Sequence, residues 1–266
     1  KQKLVLLAAA GRHFADVLRR HDVRVVHRTL EDNTHEESLE THVTAAIRET
    51  GSDGVRLVRP GSRVELSAVE VVTDDLGVHL NLVEDPHFYS TPSEFVSHAT
   101  GRKQLIMEYF YRELRKKHGL PVETDDSPTG GAWNFDKENR GAFGKEGPGD
   151  IPPPRRFTPD AMTHEACAAV QEAFPESPGS ADEFRLPVTP EEAEEALVDF
   201  LDNRLPRFGE FQDAMWTEER LLYHSLLSPV LNIKLLDPRK AVDGAVARYR
   251  DGGAPITSVE GFVRQI

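Results

Sequence analysis

Two hydrophobic periodicities alternate along the first 84 residues, and this alternation constrains the fold more than any other feature of the sequence. Helical spacing and short β-branched runs follow one another with brief connections, which is typical of parallel α/β units. The predicted helices are 1–20, 36–50 and 62–76, and the predicted strands are 23–28, 54–58 and 78–83. We therefore predict a Rossmann-like α/β domain over residues 1–120. Because the sequence starts on a helix, we expect that the first strand of this domain is missing and that the chain is a fragment.

The predicted α/β domain lacks the phosphate-binding signature of dinucleotide-binding folds. No G-x-G-x-x-G stands at a strand-to-helix turn, so this fold class alone says nothing about chemistry. On the first helix, the spacing predicts one apolar face, made of Leu4, Leu7, Ala8, Phe14, Val17 and Leu18.

The periodicity changes in the second half of the chain. Residues 101–118 form the clearest predicted helix, and Gly119 is a suitable stop. Residues 121–160 are rich in Gly, Pro and charge, which predicts an interdomain linker or functional loop. After this loop only helical spacing remains, at 163–174, 189–203, 218–227, 239–250 and 258–266. We predict an incomplete all-α domain over residues 161–266.

The charge of the chain narrows the possible partners. A formal net charge of −13 argues against a protein that coats nucleic acid indiscriminately. One predicted helix is locally basic, through Arg112, Arg115, Lys116 and Lys117. These cations predict a local nucleic-acid site; the alternative is a solvated helix face that balances the acidic residues 182–202.

Common catalytic and metal signatures are missing from the sequence. It contains no nucleophile elbow, P-loop or H-E-x-x-H, and it identifies no catalytic residue. Its single cysteine, Cys167, excludes an internal disulfide framework, and its 11 histidines do not pair at ligand spacing. We predict no metal site, and no apolar run approaches the ~20 residues of a membrane span. We expect a cytoplasmic monomer without membrane contact.

A group of polar residues near position 225 is the best candidate for ligand binding. His224, Ser225 and Ser228 surround the start of a predicted helix, and Pro229 fixes the turn. Hydroxyls and free backbone N–H groups at such a place suit a phosphate or diphosphate. Serines are also common helix caps, so the pattern alone leaves both interpretations open.

Several segments, taken in order, resemble the deoxyribodipyrimidine photolyase-related family, the iron–sulfur branch of the cryptochrome/photolyase superfamily. The resemblance covers essentially the whole chain. The matching segments are KQKLVL, RHFADVLR, GRKQLIMEYFYREL, GGAWNFDKENR, PPPRRFTPD, PVTPEEAEEAL, RLPRFGEFQDAM, LLYHSLLSPVLN and SVEGFVRQI.

The resemblance implies an architecture and a set of cofactors. The family combines an N-terminal α/β antenna-type domain, which commonly holds a ribityl-lumazine, with a helical domain that binds FAD and a [4Fe-4S] cluster on four cysteines. Since Cys167 matches no cluster position, the resemblance places all the cluster ligands outside this fragment. The segment HSLLSP resembles the superfamily's flavin-phosphate motif, which implies FAD contacts for His224, Ser225, Leu226 and Ser228.

Two further positions follow from the same resemblance. The segment SVEGFVRQI resembles the start of the helix that lines the flavin, so Glu260 and Arg264 are candidate flavin neighbours. Phe211 stands where relatives often have Tyr, so a hydroxyl contact to the flavin is not expected there.

The family resemblance leads to three functional hypotheses. The first is a fragment of a light-driven, FAD-dependent (6-4) photolyase that transfers an electron to a flipped pyrimidine dimer in UV-damaged DNA. The second is a cryptochrome-like photoreceptor without repair activity. The third is a flavin-free binding or structural module. On each of these hypotheses we expect the fragment itself to be inactive.

Overall fold

The computed structural model describes residues 1–32 and 38–266, and most of the regular structure in these ranges is helical. The described α-helices are α1 (Gln2–Arg20), α2 (Leu39–Thr50), α3 (Arg63–Leu76), α4 (Pro92–Ala99), α5 (Met107–His118), α6 (Ala161–Ala173), α7 (Pro190–Asn203), α8 (Leu205–Phe211), α9 (Ser228–Asn232), α10 (Pro238–Arg250) and α11 (Ile256–Val263). The described strands are β1 (Gly54–Val58) and β2 (His79–Val83), and short 3-10 turns lie at Leu30–Asp32 and Thr129–Gly131.

The chain divides into two compact units. The first unit comprises residues 1–91 and 159–184, and the second comprises residues 92–158 and 185–266. This division cuts across the predicted ranges 1–120, 121–160 and 161–266, because α5 and most of the predicted linker belong to the same unit as the later helices. The roles given to those three ranges, an antenna-type domain, a linker and a flavin-binding domain, stay predictions.

The first unit contains a parallel β–α–β arrangement. Strands β1 and β2 pair in parallel, with Gly54 opposite His79 and Val58 opposite Val83, and α3 connects them. Ser62 caps α3 by accepting a hydrogen bond from the backbone N–H of Glu65. The predicted strands at 54–58 and 78–83 are therefore confirmed, as parallel neighbours in an α/β unit. The finer description as Rossmann-like stays a prediction.

The predicted strand at residues 23–28 is wrong, because the structure shows no strand over this segment. β-branched residues favour extended backbone, but a strand forms only where a partner accepts its hydrogen bonds. The sheet of the described residues contains β1 and β2 and no third strand.

Helix α1 confirms the predicted helix over residues 1–20 but buries a different face. Val5 and Ala9 are fully buried, and α1 packs against α6 in the same unit. Leu7, Phe14 and Val17 are 47%, 63% and 45% exposed, so this part of the predicted apolar face is wrong, whereas Leu4, Ala8 and Leu18 are half-buried. The buried face consists largely of alanines, which allow close approach but contribute little to the hydrophobic pattern.

The second unit is built around an aromatic cluster. The rings of Phe200, Phe208 and Phe262 lie with centroids 4.9–5.8 Å apart, which brings α7, α8 and α11 together. Helices α8 and α11 cross closely, and the backbone N–H of Gly209 donates to Ser258 Oγ at 2.9 Å. The helices predicted at 189–203, 239–250 and 258–266 are confirmed as α7, α10 and α11, with α11 displaced by two to three residues.

Backbone conformations explain where predicted helices fail. The helix predicted from residue 101 begins only at Met107, and Gly101, with a φ of +76°, lies outside it. No helix forms over 218–227, where Leu222 and Leu226 have φ values of +44° and +60°. Helix α6 begins at 161 rather than 163, with Asp160 as its cap. The predicted start of α2 at residue 36 lies outside the described residues.

Candidate functional site

A buried arginine fixes the loop at residues 129–140 to α5. Arg115 is 2% exposed, and its guanidinium donates to the carbonyls of Leu120 at 3.0 Å, Trp133 at 2.8 Å and Pro121. All three acceptors are backbone carbonyls, and the Pro121 carbonyl also accepts from the Thr129 N–H at 3.2 Å. Arg115 therefore stabilises the loop, and its burial removes it from the predicted nucleic-acid contacts.

Glu260 lies at the centre of the same region. Its side chain is fully buried, and its carboxyl accepts hydrogen bonds from the Tyr111 hydroxyl at 3.0 Å and the Phe135 N–H at 3.2 Å. Burial raises the pKa of Glu260 above its usual range. Burial and the neighbouring Glu260 carboxylate also raise the pKa of Tyr111, so the phenol remains a proton donor. These bonds join α5, the loop and α11.

Arg264 follows α11 and adds an ionic contact to this group. It pairs with Asp136 of the loop, and its guanidinium lies 3.7 Å from Glu108 of α5. Its side chain is 32% exposed, so Arg264 can still reach a ligand in a way that Glu260 cannot. The structure therefore separates the two candidate flavin neighbours into one buried group and one accessible group.

The burial of Glu260 leads to a prediction about pH. In the unfolded chain a glutamate has a pKa of about 4.3, and in the folded state Glu260 binds its proton more tightly. Between these two pKa values the folded state holds more protons, so the free energy of unfolding falls as pH rises. We expect Glu260→Gln to remove this part of the slope in urea unfolding measured from pH 4 upward. Glu138→Gln, at an exposed position of the same loop, serves as a control, and an equal slope in wild type and Glu260→Gln would contradict the assignment.

Two further cations of the basic helix α5, Arg112 and Lys116, lie close to the ring of Trp133. The charged groups of Arg112 and Lys116 each lie 5.5 Å from its ring centroid, within the range of cation–π attraction. Arg112 also pairs with Glu108 at 2.9 Å, and Lys117 pairs with Glu94. Among the described residues, no carboxylate lies within ion-pair distance of Lys116. Carboxylates therefore offset the charges of Arg112 and Lys117, whereas Arg115 is buried against carbonyls and Lys116 keeps an exposed charge.

The four residues predicted near the flavin phosphates lie on one short segment before and at the start of α9. His224, Leu226 and Ser228 are exposed and Ser225 is half-buried. Leu226 is left-handed, with a φ of +60°, and Leu227 is right-handed, with φ −87° and ψ −12°. Successive residues of opposite hand turn their N–H groups to one side and form a concavity that suits an anion. We call residues 224–228 the anion segment.

The side chains behind the anion segment were missed by the sequence analysis. Arg204 is 2% exposed and donates to the carbonyl of His224 at 3.3 Å. Arg207 donates to the Tyr223 hydroxyl at 2.8 Å, and its guanidinium lies over the ring of Phe211 at 4.6 Å. Phe211 is itself buried and stacks on Phe143, with ring centroids 4.3 Å apart. The segment RLPRFGEF carried both arginines in the family resemblance, but their spacing alone gave no signal of this role.

Two further findings concern metals and membranes. In residues 1–32 and 38–266, no three His, Cys, Asp or Glu side chains lie together in a way that could hold a metal ion. Within the same ranges, no helix has the length and apolar character required to cross a bilayer.

Comparison with known proteins shows the family. Residues 1–186 match the family of deoxyribodipyrimidine photo-lyase-related proteins, and the chain belongs to this family. It is 38% identical over 268 residues to a protein named (6-4) photolyase from Agrobacterium fabrum, covering 100% of this chain and 52% of the relative. It is also 33% identical over 57 residues to an uncharacterised protein of Acanthamoeba polyphaga mimivirus, covering 21% of this chain and 44% of that protein.

A solved structure shares the fold. The crystal structure of a bacterial class III photolyase from Agrobacterium tumefaciens superposes with a TM-score of 0.56 at 15% identity. The superposition covers 99% of this chain and 47% of that chain. The fold is therefore photolyase-like, with mostly helical content and a small parallel sheet. The chain spans about half the length of the photolyases that it matches.

Proposed function

We propose that the protein is a light-driven, FAD-dependent DNA repair enzyme of the (6-4) photolyase type. Membership of the photolyase-related family and the alignment of the whole chain with a protein named (6-4) photolyase support this proposal. The single structural observation that carries it is the anion segment, whose donors suit the diphosphate of a dinucleotide cofactor.

The anion segment offers hydroxyl and N–H donors, which are the groups that bind a diphosphate. Ser225 and Ser228 offer hydroxyls, and the opposite hands of Leu226 and Leu227 turn the N–H groups of residues 226–228 together. The Leu227 N–H also reaches Ser225 Oγ at 3.4 Å, which holds the hydroxyl at the same concavity. We propose that His224, Ser225, Leu226 and Ser228 hold the FAD diphosphate. A bound, reduced flavin would supply the light-driven electron for repair.

Glu260 and Arg264 have different roles in this proposal. Glu260 uses both carboxyl oxygens to accept from Tyr111 and Phe135, so it fixes α11 in place rather than contacting the flavin. Arg264 keeps an accessible guanidinium at the end of α11 and is the better candidate for direct contact.

The two other cofactors of the family are an iron–sulfur cluster and an antenna chromophore. A [4Fe-4S] cluster takes four ligands, normally cysteines, and Cys167 is the only cysteine of the sequence. These 266 residues therefore do not fit a cluster. A ribityl-lumazine antenna remains a proposal that rests on the family resemblance alone.

A repair assay on the natural full-length protein tests the proposed function. We expect the photoreduced protein to repair (6-4) lesions in irradiated DNA in the light and not in the dark. Flavin photochemistry without lesion repair would instead indicate a cryptochrome-like photoreceptor. Absence of both would indicate a flavin-free module.

Removing the two hydroxyls of the anion segment should weaken cofactor binding more than the fold. Each charge-assisted hydrogen bond contributes about 1.5–3 kcal/mol, so we expect Ser225→Ala with Ser228→Ala to lower FAD occupancy at least tenfold. Because both side chains are at least partly solvated, the melting temperature of the flavin-free protein should stay nearly unchanged. Flavin content of the purified double variant, measured by absorbance, checks this, and wild-type occupancy would refute the assignment.

DNA contact is proposed for Arg112, Lys116 and Lys117, with Lys116 making the largest contribution. Removing one cation that neutralises a phosphate should reduce the salt slope of DNA binding by roughly 0.9. We expect this reduction for Lys116→Gln and a smaller one for Lys117→Gln, since Glu94 already offsets Lys117. The DNA affinity of wild type and of both variants, measured at several salt concentrations, gives these slopes. An unchanged slope for Lys116→Gln would contradict the DNA contact proposed for Lys116.

A further inference from the structure

The anion segment has a backbone that its own sequence does not favour. Leu226, within the segment, and Leu222, two residues before it, both adopt positive φ angles, a conformation that costs free energy for residues with a Cβ. Such a conformation persists only where surrounding contacts impose it. A contact to this segment comes from Arg204, at the junction between α7 and α8.

Arg204 makes the central contact. It stands between α7 and α8, and its side chain is 2% exposed. Its guanidinium pairs with Asp199 at 2.9 Å and donates to the carbonyl of His224 at 3.3 Å. A weaker contact, at 3.5 Å, reaches the carbonyl of Pro153. The ion pair with Asp199 fixes the guanidinium, and the guanidinium in turn fixes one peptide group of the anion segment.

The geometry of the peptide bond carries this constraint to the opposite side. The described residues contain no cis peptide bond, and in a planar trans peptide the C=O and N–H point in opposite directions. When the His224 carbonyl points at Arg204, the Ser225 N–H must point away from Arg204. Within the described residues, this N–H donates to no other group.

We propose that Arg204 is a positioning residue for the anion segment. By holding the His224 carbonyl from behind, it turns the Ser225 N–H outward, where it joins the N–H groups of residues 226–228 as a donor to the cofactor's diphosphate. Arg204 does not touch the ligand, and its positive charge is offset by Asp199. The inference rests on the proposed binding of FAD and adds the element that sets the geometry of its phosphate site.

The test compares a ligand with phosphates and one without. Flavin-free protein is titrated with FAD and with riboflavin, followed by flavin fluorescence. We expect Arg204→Met to weaken FAD binding about tenfold, the equivalent of one charge-assisted hydrogen bond, and to leave riboflavin binding unchanged. Arg248→Met is the matched control, because Arg248 pairs with Asp202 on the same helix α7 without contacting the anion segment. Equal losses for both ligands, or an unchanged FAD affinity, would overturn the proposal.

A second measurement covers the case in which Arg204→Met does not fold. Inorganic pyrophosphate is titrated into wild-type protein labelled with ¹⁵N, and the amide resonance of Ser225 is followed. We expect this resonance to shift together with those of Leu226 and Ser228, whereas a stationary Ser225 amide beside a shifting Ser228 would refute the role of Arg204. Failure of wild-type protein to bind FAD would instead refute the proposed function, so the two failures are distinguishable.

Discussion

Replacing Arg115 by Met should lower the free energy of unfolding by about 3–4 kcal/mol, the largest effect that we expect from a single substitution. The guanidinium donates to three backbone carbonyls. The Pro121 carbonyl would keep the Thr129 N–H as a donor, but those of Leu120 and Trp133 would lose theirs, and each such loss costs about 1–3 kcal/mol. Part of this cost is recovered where water reaches the opened site. For a chain of this size, the loss corresponds to a fall of about 10 °C in melting temperature.

The neighbouring residue Lys116 provides the control for this prediction. Lys116 lies on the same helix and carries the same charge but is exposed, so Lys116→Met should change the stability by less than about 0.5 kcal/mol. Urea unfolding of both variants makes the comparison. If the two variants lose equally little, Arg115 is not the anchor of the loop.

The second large effect is expected at the crossing of α8 and α11. A Cβ on Gly209 would lie 2.6 Å from Ser258 Cα and 2.7 Å from Ser258 N, and backbone atoms at such distances cannot give way without separating the helices. We expect Gly209→Ala to cost about 3 kcal/mol, at the upper end of the usual overpacking penalty. Thermal unfolding of the variant measures this cost.

Gly244 offers a matched control for Gly209→Ala. A Cβ there would also come within 2.6 Å of another atom, but that atom is Cδ1 of Leu201, the end of a flexible side chain. Because alanine also favours the helix by about 0.5–1 kcal/mol, Gly244→Ala should stay within about 1 kcal/mol of wild type. Similar losses for the two variants would show that the backbone contact at Gly209 is not limiting.

Much of the local structure was predictable because its signals are local. Helix α7 begins after Thr189, whose side chain accepts from the Glu192 N–H as the cap pattern predicts. Gly119 ends α5 with a φ of +64°. Strands β1 and β2 were also found from short apolar runs. The signals that failed concern tertiary partners, as at residues 23–28, whose composition favours a strand but which have no strand partner in the described sheet.

The candidate site was only partly predictable. The residue types of Ser225 and Ser228 predicted a helix start. The structure adds the left-handed and right-handed backbone conformations of Leu226 and Leu227, which the sequence did not predict because leucine does not favour a positive φ. Arg115 was grouped with the solvent-facing cations because charge normally implies exposure. Its burial depends on carbonyls that the chain brings together only after Gly119. Arg204 escaped notice for the same reason, since Asp199 and His224 approach it only in the folded unit.

The central claim is tested most directly by the equilibrium binding of FAD to the natural full-length protein. The protein is first stripped of flavin, and inorganic pyrophosphate is then added as a competitor of FAD. We predict one FAD bound per chain, displacement by pyrophosphate, and a loss of both in the Ser225→Ala, Ser228→Ala double variant. A protein that binds no FAD at saturating concentration, or whose FAD binding is unaffected by pyrophosphate and by the double variant, would contradict the account.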